Sequence, residues 1–298
     1  MTTKRRLAYT ALLLNCLIWG LALPIVKPAL SHLTPIQFLY FRYLLAAPLS
    51  LILLPFIRLP KISLATLGKI TLLEFIGTPI LLAILYTGLA KTTGLEASLL
   101  GATSPLFTIL GGIWFLKEHQ TRREWQGLAL AMIGTLLLTL EPLFLGQTLT
   151  ISSLSGNFLI ILQNLIWAGY LIVAKRLYRS LPKLFVTAFS YWLGLFCFAG
   201  YLLTTRSLPP LSTLWLYDFQ LLFPVLYMAI LGSIVALALY LYGQDKIEAS
   251  EASIFTYLQG VIAIPAAFFL LGEKPTLLTL LAIIIISYGV LRAELRKK

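Results

Sequence analysis

One stretch of this chain occurs twice, and the repetition constrains the fold more than any other feature. Residues 95–118 read LEASLLGATSPLFTILGGIWFLKE, and residues 250–273 read SEASIFTYLQGVIAIPAAFFLLGE. An offset of 155 residues carries the motif EAS at 96–98 onto the same letters at 251–253. Two segments with the same spacing of polar, small and apolar residues are expected to adopt the same structure.

The match continues upstream with a shorter offset. An offset of 148 residues carries LIW at 17–19 onto LIW at 165–167, and Tyr43 onto Tyr191. The difference between the two offsets fits an insertion in the polar stretch 204–220. The chain is therefore predicted to be a duplication with one copy in residues 1–146 and the other in residues 147–298.

Long apolar runs separated by short polar connections predict that both copies lie in a membrane. Hydrophobic residues make up 59% of the 298 and charged residues only 11%, whereas a soluble domain carries roughly 25% charged residues. Each run is about 18–24 residues long, enough to cross a hydrocarbon core of roughly 30 Å. The predicted spans are 8–27, 35–57, 67–90, 95–116, 124–141, 155–175, 184–204, 221–243, 250–271 and 276–292.

An odd number of spans in each copy has a topological consequence. With five spans per copy, the second copy enters the membrane from the opposite side, which is the inverted repeat typical of secondary transporters. The predicted fold class is therefore an all-α integral membrane protein with ten transmembrane helices arranged as two inverted five-helix repeats.

The positions of the basic residues indicate the orientation. With both termini in the cytoplasm, 18 of the 23 Lys and Arg residues lie on the cytoplasmic side and 5 on the other, as the positive-inside rule requires. The net charge of +12 thus reflects topology, and because no basic face interleaved with aromatic residues is present, no nucleic-acid partner is expected.

Several short motifs resemble those of a known family. They are IWG at 18–20, FR at 41–42, AS at 97–98 and SP at 104–105, with IWA at 166–168, AS at 252–253 and LGE at 271–273 in the second copy. In this order and repetition the chain resembles the drug/metabolite transporter superfamily, and within it the ten-span EamA-type permeases. The resemblance implies transport of amino acids, other metabolites or toxic compounds, and we expect a bacterial cytoplasmic membrane. The chain departs from the family at Gly260, where a proline is frequent, and at Lys117, where glycine is usual.

Two matching pairs of residues are the first candidates for a substrate cavity. Asn15 and Trp19 lie four residues apart and share a helix face, and the repeat places Gln163 and Trp167 at the equivalent positions. Amides inside a bilayer face protein or a water-filled cavity. Either they line a substrate pathway, or they are hydrogen bonds that hold packed helices together.

Polar residues of the fourth and ninth spans extend this candidate cavity. Ser104 and Pro105 match the depth of Tyr257 and Gln259, and a proline at 105 leaves a backbone carbonyl without its helical donor. Such breaks occur at transport sites, although an ordinary kink satisfied by a neighbour is the alternative. Tyr86 and Tyr240 are expected to add hydroxyls to the wall, with a place at the membrane interface as the alternative for Tyr86 above all.

Four charged residues are candidates for coupling or gating. Glu74 is the carboxylate placed inside a span, where burial favours the protonated form and suits a proton-coupling site; pairing with Lys69 or Arg123 is the alternative. Arg42 either extends to the headgroups or binds an anionic substrate group. Lys27 and Lys175 end the first and sixth spans at matching positions, as gate contacts or membrane-edge anchors.

The residue types also restrict which classes of function are possible. No nucleophile, metal-ligand spacing or phosphate-binding loop is found in the sequence, so neither an enzyme nor a metal or other cofactor is expected. The leading hypothesis is a secondary transporter that exports a neutral or aromatic amino acid or a similar zwitterion and acts as a monomer or homodimer. Sugar phosphates and multidrug cations are the alternative substrates, and a channel or an intramembrane enzyme the alternative classes.

Overall fold

The computed structural model describes residues 3–56, 62–101, 103–104, 107, 122–144, 151–178, 181–216, 218–246 and 249–294. Within these residues all regular structure is helical and there is no strand, so the predicted all-α class is confirmed for the described part of the chain. The helices are α1 Thr3–Val26, α2 Pro35–Ser50, α3 Leu64–Phe75, α4 Leu81–Lys91, α5 Gly94–Gly101, α6 Arg122–Phe144, α7 Ile151–Leu177, α8 Lys183–Thr204, α9 Thr213–Leu216, α10 Asp218–Leu226, α11 Ala236–Lys246, α12 Ala249–Leu271 and α13 Leu277–Glu294.

Local sequence explains where several of these helices begin and end. Thr34 and Gln37 form a capping box ahead of α2, in which each side chain accepts from the other residue's backbone N–H. Gly272 follows α12 with φ +67°, and the N–H groups of Gly272 and Glu273 donate to carbonyls near the end of the helix. The bond from Gly272 to Phe268 is that of an αL helix ending, which favours glycine because its left-handed residue carries no Cβ.

Two long helices each contain a π-helical turn at matching places. The turn Ile76–Ile80 joins α3 to α4, and the turn Tyr227–Val235 joins α10 to α11. The repeat offset of 155 residues carries 76–80 onto 231–235, within the second turn. Because a π turn inserts a residue into the helical hydrogen-bond ladder, it leaves backbone groups available to other partners.

Several of these helices have the length and the apolar composition of membrane-spanning segments. In the part of the chain that the structure describes, five helical segments are long and apolar enough to cross a membrane, namely Arg5–Ser31, Leu64–Lys91, Ser153–Ala174, Lys183–Thr204 and Phe219–Gly243. Three shorter apolar segments are Trp125–Gly134, Ile262–Leu271 and Leu277–Gly289. Large apolar side chains such as Phe196 and Phe269 are 65% and 79% exposed, which in an integral membrane protein places them against lipid.

The two copies pack across each other rather than side by side. Helix α1 lies against α11 and α12, α7 lies against α4, and α2 lies against α8. Glycines permit the closest approaches: a Cβ on Gly20 would lie 2.9 Å from the carbonyl oxygen of Gln259. Helices α6 and α13, which correspond to the fifth and tenth predicted spans, pack mainly on each other. The polar contacts described next therefore join one copy to the other.

Candidate functional site

The π turn between α10 and α11 receives the first pair of predicted cavity residues. The Nδ2 of Asn15 donates to the Ala236 carbonyl at 2.8 Å, and the Nε1 of Trp19 donates to the Gly232 carbonyl at 2.9 Å. Both donors stand on one face of α1, as their spacing predicts, and both acceptors lie in or beside the π turn of the other copy. The ring of Trp19 also lies 5.4 Å from that of Tyr240, centroid to centroid.

Arg42 reaches the same turn from α2. Its Nε and Nη2 donate to the Ser233 hydroxyl at 3.2 and 3.1 Å, and its Nη1 donates to the Tyr86 hydroxyl at 3.1 Å. The side chain is only 8% exposed, so it does not extend to the headgroups. Tyr86 is 1% exposed, so its ring is surrounded by protein. The π turn is thus a meeting point of residues from α1, α2 and α4.

Glu74 forms a second cluster two residues before the π turn of the first copy, Ile76–Ile80. Its carboxylate accepts hydrogen bonds from the hydroxyls of Tyr170 at 2.8 Å and Tyr178 at 2.5 Å, and from the hydroxyl of Ser190. Glu74 is 1% exposed, and its hydrogen bonds within the described residues come from hydroxyls, not from the basic residues considered as alternatives. All three donors belong to the second copy, so this contact also joins the copies.

Aromatic rings pack around the π turn of the first copy, Ile76–Ile80. A Cβ on Gly77 would lie 2.3 Å from the ring of Tyr170, so only glycine lets Tyr170 reach Glu74 across the turn. Trp167 stacks on Tyr170 with ring centroids 5.2 Å apart. Trp167 therefore stands beside the π turn of the first copy, as Trp19 stands beside that of the second.

The two clusters are related by the repeat and meet at a pair of tyrosines. The offset of 148 residues carries Arg42 and Tyr43 onto Ser190 and Tyr191. Tyr43 and Tyr191 pack edge to face with centroids 5.6 Å apart, and the Tyr191 hydroxyl donates to the Ser233 carbonyl at 2.7 Å. A self-related contact of this kind is expected where the pseudo-twofold axis passes. The two clusters occupy related positions, but Arg42 carries a positive charge and its repeat equivalent Ser190 carries none.

The remaining predicted cavity residues lie nearby or outside the described part of the chain. Gln163 is buried in α7, while Gln259 and Ser104 are partly buried. Pro105 and the side chains of Tyr257 and Lys175 fall outside the described residues. The Leu100 carbonyl of α5 accepts from the Asn164 amide at 2.8 Å, so Asn164 holds helices together there.

Lys27 directly follows α1 and belongs to neither cluster. Its Nζ donates to the carbonyls of Leu89 at 2.7 Å, Ala90 at 3.2 Å and Thr92 at 2.5 Å, at the C-terminus of α4. A cation is favourable at this negative end of a helix. Beside it, Glu273 accepts from the backbone N–H of Gly94 at 2.9 Å and of Leu95 at 2.7 Å, at the positive end of α5. The Glu273 contact joins the two copies at this end, whereas the Lys27 contacts lie within the first copy.

Several residues of both clusters were not predicted as site residues. They are Tyr43, Tyr170, Tyr178, Ser190, Tyr191 and Ser233. The sequence contained one usable signal: Ser190 and Tyr191 are the repeat equivalents of Arg42 and Tyr43. Nothing in the sequence marks Tyr170 or Tyr178, because their role depends on which helix α7 packs against.

Fold and buried polar residues together define an integral membrane protein made of two related helical units. The profile of the EamA-like transporter family matches residues 6–140 and again residues 142–293. The chain belongs to the EamA-like transporter family, which confirms the resemblance seen in its motifs and makes it a transporter by family.

Curated relatives cover nearly the whole chain. An uncharacterized transporter of Archaeoglobus fulgidus is 26% identical over 280 residues, covering 94% of each chain. A protein of Salmonella typhimurium described as a probable amino-acid metabolite efflux pump is 27% identical, covering 93% of this chain and 91% of the relative. A protein of Escherichia coli with the same description is 25% identical with the same coverage. A solved crystal structure aligns with a TM-score of 0.64 at 16% identity, over 98% of this chain and 96% of the other, and supports the fold alone.

Proposed function

We propose that this protein is a secondary active transporter, exporting in direction, for small zwitterionic metabolites such as neutral or aromatic amino acids. Substrate crosses by alternating access between two inverted five-helix repeats, residues 1–146 and 147–298. The cavity is lined by Asn15, Trp19, Tyr86, Gln163, Trp167 and Tyr240, with Ser104, Pro105, Tyr257 and Gln259 contributed by the fourth and ninth spans.

One observation carries this proposal: polar groups buried at the centre bond to the other copy. Trp19 and Arg42 of the first copy bond to the π turn of the second, and Ser190 of the second bonds to Glu74 of the first. Contacts of this kind are suited to being exchanged when one repeat rocks against the other.

The substrate class is supported by the chemistry of the same residues. Indole and phenol rings suit an apolar body, and buried hydroxyls and one guanidinium suit a few polar handles. A sugar phosphate is expected to need two or more converging cations, and only Arg42 stands at the centre of the described residues. Two relatives described as probable amino-acid metabolite efflux pumps support amino-acid export.

Counterflow in proteoliposomes tests the function. Vesicles loaded with an unlabelled amino acid are expected to accumulate the labelled one transiently, which only a carrier does. Simple equilibration without overshoot points to a channel, and chemical conversion of the substrate points to an enzyme. Sugar phosphates and organic cations in the same panel test the alternative substrates.

Both termini are expected to lie in the cytoplasm, with ten spans between them. A reporter active only outside the cytoplasm should give no signal when fused after residue 298 and a clear signal when inserted at Gly146. The reason is the distribution of 18 basic residues on one side and 5 on the other. A signal from the C-terminal fusion contradicts the inverted repeat.

Glu74→Gln is expected to abolish uptake driven by a pH gradient while leaving counterflow without a gradient largely intact. Glutamine keeps the shape of the side chain but neither gains nor releases a proton, and neighbouring hydroxyls can still donate to its carbonyl oxygen. The measurement compares both assays for the wild-type protein and the variant. Glu141→Gln is a matched control, because Glu141 is also buried and held by threonine hydroxyls. Unchanged gradient-driven uptake in Glu74→Gln contradicts proton coupling at this residue.

A further inference from the structure

Arg42 is a buried cation whose surroundings are uncharged. Among the described residues its guanidinium bonds to the hydroxyls of Ser233 and Tyr86, and its Cζ lies 5.4 Å from the centre of the Tyr43 ring. None of these groups carries a negative charge. Arginine does not lose its proton in a protein, and an ion taken out of water without a counter-ion is costly. The fold therefore maintains a charge that its described neighbours do not neutralise.

Part of the Arg42 guanidinium has no hydrogen-bond acceptor among the described residues. Arginine has five N–H donors, and three of them are accounted for, two by the Ser233 oxygen and one by the Tyr86 oxygen. The Ser233 hydroxyl donates its own hydrogen to the Met228 carbonyl at 2.8 Å, a carbonyl near the start of the π turn. Ser233 is thereby oriented with its lone pairs toward Arg42. Among the described residues, one N–H of Nη1 and one of Nη2 have no protein acceptor and remain for a ligand.

The repeat shows that this position can join the two copies without a cation. Ser190 occupies the equivalent position in the second copy, and its hydroxyl donates to the Glu74 carboxylate of the first. A contact between the copies is thus made at this position without an arginine. Glu74 is not a second open charge of the same kind, since three hydroxyls already donate to its carboxylate.

We propose that Arg42 binds the carboxylate group of the transported molecule, which makes a carboxylate the obligatory part of the substrate. This inference rests on the transport function proposed above and names the group that the site selects. Two parallel N–H donors match the two oxygens of a carboxylate. Trp19 bonds to Gly232, the neighbour of Ser233, so its indole adjoins the same turn and offers apolar surface to the rest of the molecule.

Three probes that share one ring separate the charged groups. They are L-phenylalanine, L-phenylalaninamide, which lacks the carboxylate, and 3-phenylpropionate, which lacks the ammonium group. In the wild-type protein the first and third are expected to raise the melting temperature and to inhibit phenylalanine counterflow, with the amide weaker by at least about tenfold. Parallel samples at low and at high chloride concentration test whether an inorganic anion occupies the site instead.

Arg42→Gln is expected to lower phenylalanine affinity by at least about tenfold and to remove the preference for phenylalanine over its amide. Arg42→Lys keeps the charge but not the paired donors, so its phenylalanine affinity is expected to lie between those of the wild-type protein and Arg42→Gln. The lysine variant is also expected to fold even if the glutamine variant does not. Arg206→Gln is the control, because Arg206 is exposed and the same charge is removed. This control should behave as the wild-type protein does.

The outcomes separate this inference from the proposed function. Stabilisation by 3-phenylpropionate without counterflow keeps the carboxylate site and overturns the transport proposal. Counterflow of phenylalanine with an unchanged preference over the amide in Arg42→Gln and Arg42→Lys overturns the carboxylate site and keeps transport. Stabilisation by chloride alone, with no difference among the probes, also overturns the inference, as does a wild-type protein that none of the three probes stabilises.

Discussion

Gly88→Val is expected to lower the free energy of unfolding by about 3 kcal/mol or more, the upper range for overpacking a tight contact. A Cβ at Gly88 would lie 2.9 Å from the Gly156 carbonyl oxygen, and a Cβ at Gly156 would lie 2.9 Å from the Gly88 carbonyl oxygen. The two glycines thus hold α4 and α7 backbone to backbone. A side chain at either position forces apart two helices that belong to different copies, and no flexible side-chain end can absorb the shift.

Thermal unfolding in detergent measures this effect, and the chain offers a matched control. A Cβ at Gly200 meets nothing within 4 Å and that residue is exposed on α8, so Gly200→Val is expected to change stability by no more than about 0.5 kcal/mol. Gly156→Val should reproduce the loss from the other helix. Equal melting temperatures for the Gly88 and Gly200 variants contradict the close crossing of α4 and α7.

Trp19→Ala is expected to weaken substrate binding by about 2 kcal/mol or more, as loss of an aromatic anchor does at a binding hot spot. The indole is partly buried, and its N–H is held by the Gly232 carbonyl while its ring lies against Tyr240. A ring fixed in this way presents its remaining surface at low entropic cost. Binding of an aromatic amino acid, measured by calorimetry or thermal shift, gives the difference.

Phe196→Ala is the control for that experiment, since this ring is 65% exposed and stands away from both clusters on α8. Trp19→Phe keeps an aromatic ring but removes the hydrogen bond to Gly232, so it separates loss of contact surface from loss of the bond. Cysteines placed at 19 and 167 should react with a small water-soluble thiol reagent and be protected by substrate. If both positions resist labelling from either side, neither residue lines the pathway.

Much of the predicted site follows from helical periodicity, as Asn15 and Trp19 illustrate. Their spacing predicts one shared face directed at protein, and both donate to the same π turn. The spacing of the sequence says nothing about the partner, which lies 221 residues away for Asn15. Arg42 shows the limit more clearly: its span was predicted, but whether it reaches the headgroups or the centre depends on a serine in the other copy.

The π turns could not be predicted either, although their positions repeat. A π turn costs helical hydrogen bonds, and it persists where other groups satisfy the freed backbone. Here the donors are Asn15, Trp19 and Tyr191 for the turn of the second copy. These donors come from two helices, α1 and α8, so the turn is a property of the assembled bundle.

The sequence by itself determined that this chain is helical, embedded in a membrane and built from two related units, because run length, composition and repeat offset are properties of the linear chain. Tertiary structure alone decided which buried polar groups meet. Arg42 and Ser233 are 191 residues apart, and Glu74 and Ser190 are 116 residues apart. In an apolar medium a buried polar group must find a partner within the protein, and which partner is near depends on how the helices of the two copies cross.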